Sequence, residues 1–299
     1  MSGGGMGLQR LARVFFPLTL VLVLLYITSV RLPEVQLSEC MEDGKPCVEA
    51  LMEKEMSLAA GKAVNPAILP SAKGPSHPEV EVYIKHCEGK AFQIKRLLAA
   101  FRACMTPDGQ ILLKEYLAGW EELIKFMDAL GTVFGFISQE TITKINIMHS
   151  HRTGKHSAEY RTLQSMVEYE LQDNVVNFKE LPRNRTPSGC RTVLRLHRAL
   201  KWLELFLYKL ATSTDHENTS DMCAEAYEVA LARHHSWFIR QAAALAFLAL
   251  PPRRALFDIV CVQEEHEAQL VLMTTVKAIV GVYNRTQEMY SANGMLDLP

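Results

Sequence analysis

Beyond residue 89 the apolar residues recur at intervals of three and four, and no stretch there alternates in the period of two that a half-buried strand requires. This pattern predicts helices near 89–105, 110–130, 138–150, 158–178, 188–212, 219–248, 253–260 and 264–291. Helix breakers stand at the joints between them: Pro107, Asp108 and Gly109, then Gly131, then Pro187, Ser188 and Gly189, then Pro251 and Pro252. The fold class expected is all-α, with about eight helices and no internal repeat.

The chain before residue 85 has a different texture. Residues 14–30 form an uncharged apolar run, short for a bilayer span and long for the core of a signal peptide. Both a retained signal-anchor and a cleaved signal peptide remain open, and the lack of a small-residue cleavage pattern favours the anchor. Arg10 and Arg13 precede the run, while Glu34, Glu39 and Glu42 follow it. The positive-inside bias therefore leaves residues 1–13 in the cytosol and sends the rest toward the lumen or the exterior. Residues 31–84 are irregular and carry Pro66, Pro70, Pro75 and Pro78. They are expected to be a linker, proline-rich in its second half, with one short helix over 47–60. A single domain then occupies 85–299. Three Asn-x-Ser/Thr sequons, at Asn184, Asn218 and Asn284, agree with secretory exposure, although so short a pattern also arises by chance.

Composition narrows the function. A chain of 299 residues with 48% hydrophobic and 22% charged residues can bury a full core. A formal net charge of -1 excludes nucleic-acid binding by bulk electrostatics, so any basic site is local. Seven cysteines show neither a CxxC pair nor zinc-like Cys/His spacing, so neither a metal nor a cofactor is expected. The odd count leaves one thiol unpaired in a monomer, and buried free thiols are the expectation, with Cys40 and Cys47 able to bridge in an oxidising compartment.

Two constellations carry candidate chemistry. Glu140 and Lys144 stand four apart, on one face of a helix, where a plain solvated ion pair is the ordinary explanation. Arg191, Arg195, Arg198 and Trp202 line one face of a second helix, ordinarily a charged surface stripe. Arg191 falls in that helix's first turn, where unpaired amides add positive partial charge suited to phosphate. His234, His235 and Trp237 cluster further on, and a packed structural histidine is the usual reading of such a group. No GxSxG, P-loop or HExxH pattern is present, so no catalytic residue is assigned and no enzymatic activity is expected.

The segments FGFISQETITKINIM, SGCRTVLRLHRALKWLELFL and HHSWFIRQAAALAF together resemble the glycolipid transfer protein superfamily, and within it the branch that carries ceramide 1-phosphate. The resemblance spans 85–299, including the terminal YNRTQEMYSANGMLDLP, and leaves residues 1–80 uncovered. It implies a two-layer helical fold enclosing a hydrophobic lipid pocket, with a headgroup site on the surface. It implies that Glu140 and His235 grip the ceramide amide and hydroxyl, and that Lys144, Arg191 and Arg195 bind phosphate. Aspartate is usual at position 140, and the extra methylene of glutamate displaces the carboxylate by about a bond length. The glycolipid branch has a sugar-stacking tryptophan at position 191 and an asparagine at 144, which disfavours a sugar headgroup here. Phe126, Leu130, Phe134, Ile137, Phe206, Leu210, Phe247 and Leu248 are candidate pocket liners that serve equally well as plain core.

The expected partners are thus a sphingolipid and a membrane surface, with Trp237 and Tyr283 at the bilayer interface; oligomeric state is not legible. A lipid sensor or scaffold that binds without net transfer, a glycolipid carrier, and a structural module with a vestigial site are the alternatives. The resemblance implies a cytosolic carrier with membrane contact, whereas residues 14–30 imply membrane anchorage or secretion.

Overall fold

The structure, a computed structural model, describes residues 82–179, 186–214 and 217–299, with the backbone of two short strands ahead of them. The chain divides into two compact units, Met1–Pro75 and Ser76–Pro299. In the first, β1 (Met41–Glu42) pairs antiparallel with β2 (Lys45–Pro46), a two-residue ladder inside the segment expected to be irregular. The apolar run 14–30, the short helix expected over 47–60, and the side chains of Cys40 and Cys47 lie outside the described residues. Among the described residues no helix is long and apolar enough to cross a membrane.

The second unit is all-helical, as its apolar periodicity demands. In chain order it comprises α1 (Ile94–Cys104), α2 (Leu113–Ala129), α3 (Gly135–Thr153), α4 (Leu163–Gln172), α5 (Gly189–Thr212), α6 (Thr219–Ala230), α7 (Trp237–Phe247), α8 (Arg253–Ile259) and α9 (Glu265–Ala292). The described residues thus hold nine α-helices where about eight were expected. The difference arises within 219–248. A single turn of 3-10 helix, Ala232–His234, ends α6, and His235 and Ser236 are extended before α7 begins. No proline or glycine marks that break. The helix expected over 158–178 is also shorter, because Thr162 and Ser165 form a capping box at its start and Asn174, at φ 52°, turns the chain away after its end.

The helices close a circuit: α9 packs along α5 and reaches α1, α1 packs on α2, α2 on α3, and α3 returns to α5. α6 lies against α5, and α7 packs on α6 and reaches α5 through the Phe247 ring beside Trp202. The middle helix, α5, is buried around most of its circumference, with Val193, Leu196, Leu200, Leu203, Phe206 and Leu210 in the core. That explains why its apolar stripe is so broad in sequence. Gly189 is required at the start of α5: a β-carbon there would stand 2.6 Å from the Met166 sulfur and 2.8 Å from the Tyr160 ring, so only glycine lets α4 and α5 approach this closely.

One expectation about the cysteines is corrected. Cys87 and Cys261 are joined in a disulfide that ties the chain entering α1 to the turn after α8, across a sequence separation of 174 residues. The Gln93 side chain orders the same entry loop, accepting from the Cys87 amide at 2.8 Å and donating to the Cys87 carbonyl at 2.7 Å. Cys104, Cys190 and Cys223 are buried free thiols, as expected.

Candidate lipid-binding site

Two helices and one link carry the candidate residues. On α3, Glu140 and Lys144 form a direct ion pair along one turn; the Glu140 side chain is 70% exposed, that of Lys144 only 17%. On α5, Arg191, Arg195 and Arg198 climb one face. Arg191 is 1% exposed and its Nη2 donates to the Asn177 carbonyl at 2.8 Å. Half-buried Arg195 donates to the Arg191 carbonyl at 3.3 Å. Arg198 donates to the Leu296 carbonyl at 2.6 Å and thereby pins the chain's C-terminal segment to the site. Trp202, which the spacing placed on the same stripe, is core instead: it is buried and its indole N–H donates to the Cys223 carbonyl at 3.3 Å.

The guanidinium groups sense one another. Burial holds the Arg191 pKa below its ordinary value and Arg195 adds to the effect, against an opposing pull from Glu170. Arg198 is lowered by burial, then by Arg195, with Arg233 contributing in the same direction and Asp297 opposing. Like charges held this near one another raise the local potential, and an anion placed among them relieves it.

His235 sits in the extended link before α7, half-buried, with Nδ1 at 2.8 Å from the Tyr227 hydroxyl. Burial, then Arg198, pull its pKa below the usual histidine value, while Glu140 works the other way. The Tyr227 hydroxyl is pushed up to about 12, chiefly by burial, and so stays protonated. His235 therefore lies within electrostatic reach of both Arg198 on α5 and Glu140 on α3, so the link before α7 converges on the two candidate helices.

The start of α5 departs from the expectation that its amides reinforce a ligand phosphate. Glu170 of α4, fully buried, accepts from the amides of Gly189 and Cys190, the latter at 3.0 Å, and from the Tyr160 hydroxyl at 2.7 Å. The Arg191 amide goes to Ser188 Oγ at 3.2 Å. The protein thus supplies its own anion to this helix end, and a ligand meets arginine side chains rather than main-chain amides. The sequence carried no sign of Glu170's role, because its amide partners lie about twenty residues further along the chain and Tyr160 lies ten residues before it.

The apolar candidates divide. Phe126, Leu130, Phe134, Phe206, Leu210 and Phe247 are core, Ile137 packs partly buried against them, and Leu248 is 73% exposed. Two surface hollows of about 350 and 370 Å³ lie on α4, one facing α9 and the other beside residues 158–159, away from the arginine row. Next to the polar site, α7 exposes Trp237, Phe238, Ile239 and Leu245, Leu248 just after it is exposed as well, and Val133 and Phe136 are exposed at the start of α3. Phe238 is 69% exposed. Monomeric proteins seldom leave so many large apolar side chains in water without a surface to meet.

A helical domain that sets a row of cations beside an exposed apolar helix is built as a peripheral lipid-binding module. The chain belongs to the glycolipid transfer protein family: the family profile described as "Glycolipid transfer protein (GLTP)" matches residues 111–262. Ceramide-1-phosphate transfer protein from Xenopus tropicalis is 45% identical over 209 residues, covering 70% of this chain and 97% of that protein. The human protein of the same name is 41% identical over 209 residues, with the same coverage. The crystal structure of human ceramide-1-phosphate transfer protein in complex with 12:0 ceramide-1-phosphate superposes with a TM-score of 0.67 at 40% identity, covering 70% of this chain and 100% of that one.

Proposed function

We propose that the domain binds a sphingolipid without chemically changing it and carries it between membranes, with ceramide 1-phosphate as its preferred cargo. The observation that carries this reading is the arginine row of α5, where a nearly buried guanidinium, Arg191, is kept beside Arg195 and Arg198. A doubly charged phosphate bound there offsets their mutual repulsion, and guanidinium forks match its oxygens. A neutral sugar offers no such compensation. The relatives named for ceramide-1-phosphate transfer support the same choice.

In this reading Lys144, Arg191 and Arg195 hold the phosphate. Lys144 exchanges its intrahelical partner for the ligand, which frees the Glu140 carboxylate to accept from the ceramide amide. His235, neutral and accepting the Tyr227 O–H at Nδ1, presents Nε2–H to the lipid. The chains enter by parting the core near Phe134, Phe206 and Phe247, at about 0.8 kcal/mol of stabilisation per buried CH₂. The face of α7 meets the bilayer, where Trp237 suits the interface.

Residues 14–30 we assign to a signal-anchor or signal peptide, 31–84 to a linker and 85–299 to the transfer domain. A retained anchor favours a second reading, a sensor that binds lipid without net transfer, because a linker of this length reaches only about 40 Å r.m.s.. The test is transfer between vesicles by purified residues 76–299, offered ceramide 1-phosphate and a neutral glycosylceramide together. Selective movement of the phosphate lipid is the expected result. Binding without movement would leave the sensor, and movement of the glycolipid alone would overturn the cargo.

A further inference from the structure

We propose that the Ser76–Pro299 unit matures in an oxidising, glycan-adding compartment, where Cys87 is joined to Cys261 and where Asn218 and Asn284 carry N-linked oligosaccharides. The inference rests on the secretory role assigned to residues 14–30, but its evidence lies elsewhere in the chain.

The first support is the complete cysteine chemistry of the described domain. The bridge between Cys87 and Cys261 is of a kind that persists in oxidising compartments and is rare in the cytosol. The other three described cysteines are suited to the same surroundings. Cys104, Cys190 and Cys223 are buried, and burial pushes each thiol up, Cys104 to about 12, so almost no thiolate exists to attack the bridge. The described domain therefore joins buried Cys87 to half-buried Cys261 and leaves its three remaining described cysteines as buried thiols.

The second support is where two sequons fall. Asn284 is exposed on α9, and Asn218 is exposed at the N-cap of α6. The cap tolerates a glycan: Asn218 Oδ1 accepts from the Ser220 amide at 3.0 Å, and glycosylation uses only the side-chain nitrogen. The Thr286 hydroxyl is buried and donates to the Val282 carbonyl at 2.9 Å, so the Asn284 sequon is readable only before α9 forms, as on a chain still entering the compartment. Asn184, the third sequon, lies outside the described residues. Neither Asn218 nor Asn284 belongs to the lipid-contacting set proposed above.

Both steps balance with donors of known chemical class. Each asparagine nitrogen loses one proton and bonds to C1 of the oligosaccharide, whose bond to a lipid-linked diphosphate breaks and releases that lipid diphosphate. The two thiols give two protons and two electrons to an oxidised dithiol carrier protein, which leaves reduced.

The experiment is translation of the full chain with and without rough microsomes, followed by protease protection, endoglycosidase digestion, and thiol alkylation of the unreduced, denatured product. The chain is expected to be protected and glycosylated, with Cys87 and Cys261 unalkylated, and Asn218→Gln and Asn284→Gln each removing one glycan step. An unprotected chain with no glycan and with both thiols alkylated would overturn the inference together with the secretory role of residues 14–30. A protected chain losing no step in one variant would overturn that asparagine alone, and a protected chain alkylated at Cys87 and Cys261 would overturn the bridge.

Discussion

At the start of α5, the amides of Gly189, Cys190 and Arg191 are all taken, two by the buried carboxylate of Glu170 and one by Ser188. At the start of α7, Ser236 makes no side-chain cap, and Trp237, Phe238 and Ile239 lie exposed. The two helix ends flank one site and are held in opposite ways. In the proposed reading, the charge that discriminates between headgroups stands on a helix whose first amides are already held by the protein, so little reorganisation would oppose phosphate binding. In the same reading, the apolar surface that meets the bilayer stands on a helix whose first turn carries no side-chain cap. The proposed function thus sets a fully capped helix end at the headgroup and an uncapped, exposed one at the membrane.

Glu170→Ala breaks the rigid side of this comparison most severely. It strips a fully buried carboxylate from two amides and the Tyr160 hydroxyl, and the expected loss is about 3–5 kcal/mol, read as a lower urea midpoint. Phosphate selectivity should fall with it, because Arg191 hangs from the same turn. Phe238→Ser acts on the other side. Folding stability should stay within about 0.5 kcal/mol, since the side chain is exposed. Vesicle partition should fall by roughly tenfold to a hundredfold, the worth of about 1.5–3 kcal/mol that a buried phenyl ring provides.

Acid titrates a residue on α5 itself. His197 is buried against Gln287 and Tyr283, and burial lowers its pKa from 6.5 to about 4. The folded pKa lies below the unfolded one, so this contribution is intact above pH 6.5 and is lost as pH falls from 6.5 toward 4. Urea midpoints measured across that window should decline, and less steeply in His197→Gln. The smallest effect is expected from Glu140→Asp. Shortening the carboxylate loosens an exposed i,i+4 pair worth about 0.3–0.5 kcal/mol, releases Lys144, and should tighten ceramide 1-phosphate binding by roughly twofold.

The parts of this comparison differed in how plainly the sequence announced them. Helical spacing and the breakers at Pro187 and Gly131 located α5 and α3 to within a few residues, α5 by its broad apolar stripe and α3 by the glycine ahead of it, since the buried face of α3 includes Ser138 and Thr141. The break between α6 and α7 was not legible, because residues 231–236 contain neither proline nor glycine and WFIRQAAALAF is apolar on several faces. Glu170 looked like any helical glutamate, and Cys87 and Cys261 are separated by 174 residues, a pairing only the tertiary structure reveals. The positions of Glu140, Lys144, Arg191, Arg195 and His235 followed from resemblance, whereas the intrahelical pairing of Glu140 with Lys144 and the Tyr227 partner of His235 required the fold.

The central claim is that the α5 arginines choose the headgroup, and the most direct measurement is the ratio of dissociation constants for ceramide and ceramide 1-phosphate with identical chains. The unaltered domain should favour the phosphate lipid by at least tenfold, and Arg191→Leu should reduce that preference by roughly tenfold to a hundredfold, the worth of one charged hydrogen-bonding fork at about 1.5–3 kcal/mol. Equal affinity for both lipids in the unaltered protein, or a preference that survives Arg191→Leu in a folded domain, would contradict the account.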